Sequence, residues 1–152
     1  MKAKNFTYQV KDVTDKGIVT IAIGGLNNED AGGDIIRKGA FTKTFKEGKN
    51  RIKHVLDHKF NYENIVGLPV SMKETDSHAI VESALNLDLP KAKDLYSNYK
   101  FFSEHGRTLE HSIGYMTTKT NENKDIRGED IAELKLFEYS TVNWGMNEST
   151  PL

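Results

Sequence analysis

The chain has 152 residues with a nearly even charge balance, 21 Lys+Arg against 22 Asp+Glu, so it lacks the basic excess of a protein built to grip nucleic acid. Hydrophobic residues make up 37% and Cys is absent, which suits one folded domain over residues 1–152 and excludes disulfides, thiolate metal sites and a Cys nucleophile. Its longest apolar stretches fall far short of the ~20 residues of a membrane span, and Met1-Lys-Ala-Lys-Asn-Phe6 lacks the apolar core of a signal peptide, so a soluble intracellular chain is expected, with neither membrane nor nucleic acid as partner.

Alternation predicts a strand pair first, Phe6–Val13 and Gly17–Ile23, joined by Thr14-Asp15-Lys16. A turn-rich stretch, Gly24–Asp34, follows. Gly39–Lys46 is read as a short helix with Phe41 and Phe45 one turn apart on one face. Strands are expected at Arg51–Asp57, Ile65–Met72 and His78–Leu87. Pro90 suits the first turn of a helix, Ala92, Leu95, Tyr99 and Phe102 keep helical spacing, and Gly106 marks its stop. The last strands are Leu109–Thr118 and Ile131–Val142, separated by the polar turn 120–125. The expectation is a mainly β fold, an antiparallel barrel of about seven strands with one or two packed helices.

Three of these strands carry an odd residue. In Arg51–His58 the even positions, Ile52, His54, Leu56 and His58, form the apolar row, and it ends in an imidazole. His54 and His58 have the spacing of paired zinc ligands on a helix. On a strand that spacing separates them by roughly 13 Å, too far for one ion, so no metal is expected. In Leu109–Thr117 the odd positions form the packing row, which leaves Ser112 on the other face beside Gly114. An ordinary solvent-facing Ser is the plain alternative. In Leu134–Val142, Glu138 falls in the row of Leu134, Leu136, Ser140 and Val142, where a carboxylate needs a partner or an open edge. Ser112, His58 and Glu138 supply the nucleophile, base and acidic orienter of a serine hydrolase triad. Spacing alone does not select them, and Asp57, Glu110, Asp130 and Glu133 remain rivals for the acidic role.

Four blocks, in order, resemble the prohead maturation protease family of tailed bacteriophages, whose fold is related to the herpesvirus assemblins. They are Asp34-Ile-Ile-Arg-Lys-Gly-Ala-Phe41, then Val55-Leu-Asp-His58 with Ile65-Val-Gly-Leu-Pro69, then His111-Ser-Ile-Gly-Tyr115, and finally Leu136-Phe-Glu-Tyr-Ser-Thr-Val142. The resemblance covers most of the chain. It implies that Ser112 is the nucleophile, His58 the base and Glu138 the third member, with backbone at Gly145 and Met146 forming the oxyanion hole. The family's usual Pro-Ala-Asn-Pro-like turn is replaced here by Asn143-Trp-Gly-Met-Asn147, and most members carry a longer C-terminal tail.

The resemblance further implies a serine endopeptidase inside the assembling prohead, in the host cytoplasm. It would cut the scaffolding segment from the major capsid protein, and cut itself, without metal or cofactor. The alternative is a catalytically inactive β-barrel assembly or scaffold factor of the capsid. Tyr96, Tyr99, Phe101 and Phe102 give the long helix more aromatic surface than one face needs, and the assemblin likeness makes a homodimer contact the alternative to packing on the barrel.

Overall fold

The computed structural model describes residues 2–6, 12–30 and 32–143. Its strands are β1 (Lys2–Phe6), β2 (Asp12–Val13), β3 (Ile18–Gly25), β4 (Ile35–Ile36), β5 (Lys53–Leu56), β6 (Ile65–Glu74), β7 (His78–Leu85), β8 (Glu110–Asn121) and β9 (Asp130–Val142). Two helices, α1 (Thr42–Glu47) and α2 (Pro90–Glu104), join them.

The strands form one sheet in the order β1-β8-β9-β5-β6-β7-β3-β2, with β4 paired to β9. The expected closed antiparallel barrel is therefore corrected. Both β5 and β4 run parallel to β9, so the sheet is mixed, and β1 and β2 end it without pairing to each other. The sheet curls into a half-barrel, bringing β3 close to β1 and β8. The expected strand Phe6–Val13 is also corrected. Its first residue ends β1, which pairs with β8, and its last two form β2, which pairs with β3 at the other edge. The two-residue β4 is too short to show a period, and it follows directly on the stretch read as turns.

The core lies inside the curl. Ile21, Ile23, Val81, Ile113, Tyr115, Leu134 and Tyr139 are all buried there. Each such large apolar side chain contributes roughly 1.5–3 kcal/mol relative to exposure. α2 adds Ala92, Leu95 and Tyr99 from one stripe and leaves Phe101 exposed. Pro90 occupies its first turn, where no backbone donor is needed. Gly106, at φ +65, closes it by letting Arg107 N–H reach the Phe102 carbonyl at 2.8 Å.

A buried polar chain ties α2 to four strands, β8, β9, β5 and β7. His111 Nε2 lies 2.7 Å from Tyr99 Oη, which lies 2.7 Å from Thr141 Oγ1. Thr141 Oγ1 is 2.8 Å from His54 Nε2, and His54 Nδ1 is 2.9 Å from Ser83 Oγ. Tyr139 donates to the same Ser83 oxygen at 2.7 Å. His111 Nδ1 makes no hydrogen bond among the described residues. A bare lone pair there costs less than an unpaired N–H, so the proton belongs on Nε2. The donors then run in one direction, from His111 through Tyr99 and Thr141 to His54, and on to Ser83.

Burial pushes both imidazoles down to about 3. Their folded values lie below the unfolded one, so the unfolded chain binds protons that the folded chain refuses. Stability is then lost as pH falls below the ordinary imidazole value of about 6.5. Between pH 7 and 5 the two groups together are expected to remove about 4 kcal/mol, a large share of the ~5–15 kcal/mol of a typical domain. Urea denaturation at the two pH values measures this. Equal midpoints would mean that the folded chain can charge both rings.

Candidate active site

The sheet brings β5, β8 and β9 side by side, and the site lies on the face opposite His54 and Tyr139. Residues paired across strands share a face. Ser112 pairs with Ser140 and Gly114 with Glu138, whereas Ile113 pairs with Tyr139. The next pair is Tyr115 with Leu136, so Phe137 is an extra residue in β9. This bulge shifts the alternation. Leu134 and Leu136 go with the core residues Ile113 and Tyr115, while Glu138 and Ser140 go with Ser112. The expected apolar row through Glu138 is thus corrected. Of the two alternatives, a partnered carboxylate or an open edge, Glu138 takes the first, buried at 2% exposure, but it belongs to a polar row on the opposite face.

His58 needed a different correction. The strand expected over Arg51–Asp57 ends at Leu56, and His54 and Leu56 pair with the core residues Tyr139 and Thr141. Continued alternation would send His58 to that same side. Instead Asp57 and His58 both adopt left-handed backbone, at φ 51 and 55. Such conformations cost non-glycine residues about 1–3 kcal/mol each and persist only when held. Here β9 holds them: Asp57 N–H donates to the Thr141 carbonyl at 3.0 Å, and His58 N–H donates to Ser140 Oγ at 3.0 Å. The turn swings the imidazole across to Ser112 and Glu138.

His58 Nε2 lies 2.6 Å from Ser112 Oγ, and His58 Nδ1 hydrogen-bonds Glu138 Oε1. A carboxylate only accepts, so Nδ1 carries the proton and Nε2 offers its lone pair to the Ser112 hydroxyl. Ser140 donates to Glu138 Oε2 at 2.8 Å while accepting the His58 backbone N–H. Sequence reasoning missed this role of Ser140, although it stands two residues after Glu138 on the same strand face. Ser112 faces away from the packed row, as expected, but it is fully buried and not solvent-facing.

Glu138 is the carboxylate that hydrogen-bonds His58, and two of its rivals, Asp130 and Glu133, are engaged elsewhere. Asp130, at the far end of β9, accepts two bonds from Arg37 at 2.9 and 2.7 Å, which hold its carboxyl well below the usual range. Glu133 accepts from Thr118 at 2.8 Å. Asp57 adds only a through-space effect on His58, and Glu110 pairs across from Val142 at the start of β8. His54 and His58 point to opposite faces with both ring nitrogens of each hydrogen-bonded. Gly145 and Met146 lie outside the described residues.

The hydrogen bond to Glu138 raises the His58 pKa against the lowering effect of its partial burial, and the charges of Glu138 and Asp57 raise it further. A base must be neutral to accept a proton. Activity is therefore expected to fall with acidification through a midpoint above the ordinary imidazole value of about 6.5. The acid limb of a kcat/KM profile measures it, and a midpoint below that value would contradict the geometry. The folding contribution of His58 has the opposite sign to that of His54 and His111: it is complete below the unfolded value and is lost as pH rises through the folded one.

A family model described as caudovirus prohead serine protease matches residues 8–152. No curated protein and no solved structure gives a significant match to the chain.

Proposed function

The chain belongs to the caudovirus prohead serine protease family, and from that membership we propose that it is a Ser-His-Glu endopeptidase of capsid maturation. Its setting is the assembling prohead in the host cell, among capsid protein. The observation that carries the proposal is the unbroken line from Ser112 through His58 to Glu138, with the imidazole in the base tautomer.

In this reading Ser112 attacks the scissile carbonyl while His58 takes its proton. His58 then protonates the leaving amine, and an acyl-enzyme remains on Ser112. Water, deprotonated by the same imidazole, releases it. Glu138 keeps the tautomer and stabilises the imidazolium, and Ser140 keeps Glu138 in place. Backbone N–H groups at Gly145 and Met146 belong to the proposal as the oxyanion hole. The substrate is the major capsid protein, cut from its scaffolding segment, together with the protease itself. One protease domain over residues 1–152 does this, and the homodimer of the assemblin likeness would use the exposed Phe101 of α2.

Incubation with precursor capsid protein tests the reading. One defined new N-terminus on the capsid protein is the expected result. Precursor that assembles around the chain uncut would favour an inactive assembly factor instead.

A further inference from the structure

A cavity of about 620 Å³ lies between α1, β5 and β9, lined by Lys53, Val55 and Glu138 of the row that carries Ser112 and by Leu134 and Leu136 of the core-facing row. That is within the size range of ligand-binding clefts and is larger than one side chain needs. Its floor is apolar, with Val55, Ile65 and Phe137, and the exposed Phe60 stands at its rim.

Its charge is uneven. Lys43, Arg51, Lys53 and Lys135 all line it. Lys53 Nζ donates to the Arg51 carbonyl at 2.9 Å, which holds two of these cations together, and Lys135 Nζ sits 5.5 Å from the Phe137 ring. Three acids also line the cavity. Glu138 is bonded to His58 and Ser140, and Glu133 to Thr118 and Lys119. These bonds leave the carboxylates charged, so four cations face three acids, an excess of one, and Glu133 also shares its charge with Lys119 outside the cavity, in a chain whose net charge is -1.

Its position relative to the chemistry follows from the register. Ser112 pairs with Ser140, and Ser140 with Val55 of the floor. Two strand spacings separate them, about 10 Å. Phe60 follows His58 by two residues, and Glu138 is bonded to His58, so the cavity lies on the His58 side of Ser112. A general acid must sit beside the nitrogen it protonates, so the leaving segment of a substrate passes on that side. An extended peptide advances about 3.3 Å per residue, which brings the second or third residue beyond the cut to the cavity.

We infer that this cavity is a specificity pocket for the leaving side of the substrate, taking an acidic side chain, Asp or Glu, at the second or third residue after the scissile bond. The inference rests on the peptidase reading above. The cations are exposed, so the selection is screened by salt, and a charge-assisted contact of this kind is expected to give roughly tenfold discrimination.

Peptides spanning the cleaved junction, with Glu, Gln or Lys placed in turn at each position on both sides of the cut, test it. The wild-type chain should cut the Glu peptide with about tenfold higher kcat/KM than the Gln peptide, and Lys should be worst, at the second or third position after the cut. Arg51→Glu with Lys53→Glu should erase or reverse that order. Equal rates for all three at every leaving-side position, or a preference confined to the acyl side, would overturn the pocket while cleavage itself stands. A wild-type chain that cuts no peptide and takes no fluorophosphonate at Ser112 would overturn the peptidase reading, and the pocket with it.

Discussion

Ser112→Ala is expected to lower kcat by roughly 10⁶-fold, the scale on which a triad fails when its nucleophile is lost. The variant should still fold. Ser112 is fully buried, yet its hydroxyl makes one bond, to an imidazole that is itself 27% exposed. Water can reach that ring from its open side, so the stability cost should be about 0.5–1.5 kcal/mol. A slot freed of one oxygen leaves little cavity. Rate and melting temperature measured on the same preparation separate the two effects. Activity within tenfold of wild type would show that another group attacks.

Glu138→Gln should lower kcat by roughly 10²–10⁴-fold with KM little changed. Ser140 argues for the upper part of that range. It donates to Glu138 Oε2 and already accepts the His58 backbone N–H. An amide oriented to keep accepting from Ser140 presents its NH₂ to His58 Nδ1. The ring proton must then move to Nε2, where it faces Ser112 and the base is lost. The other orientation preserves the base tautomer but takes away the acceptor of the Ser140 hydroxyl, and in neither does a full negative charge stabilise the imidazolium. Asp130→Asn is the contrast. It weakens the Arg37 pair and should cost about 1–3 kcal/mol of stability, with the rate within threefold of wild type. Wild-type rates for Glu138→Gln would leave a Ser–His dyad.

The long elements were legible because their periods are long. β6, β7, β8, β9 and α2 all appear within a few residues of where alternation or helical spacing puts them. What alternation could not carry is any break in alternation. The bulge at Phe137 moved Glu138 to the opposite face, and the left-handed pair Asp57–His58 moved the base. Neither residue pair contains a Gly to announce it. These two breaks compensate each other, since one row set facing the core and one facing out would never have met. The three residues that the fold brings together were picked as a trio because the resemblance named them, and by a face argument that holds only for Ser112. Parallel pairing of β5 with β9 was also invisible, because partner choice depends on tertiary packing and not on local pattern. Ser140 was visible as a residue of the right strand, but hydroxyl roles emerge only when a backbone donor and a carboxylate converge on one oxygen.

The central claim is that Ser112 is an activated nucleophile, and covalent capture tests it most directly. A fluorophosphonate reacts with a serine hydroxyl only when a base removes its proton and the neighbouring donors accept the new oxyanion. After treatment of the whole chain near neutral pH, peptide mass analysis should find one adduct per chain, on Ser112, formed more slowly as pH falls below the raised value of His58. No adduct, or an adduct spread over other hydroxyls at the rate of free serine, would contradict the account.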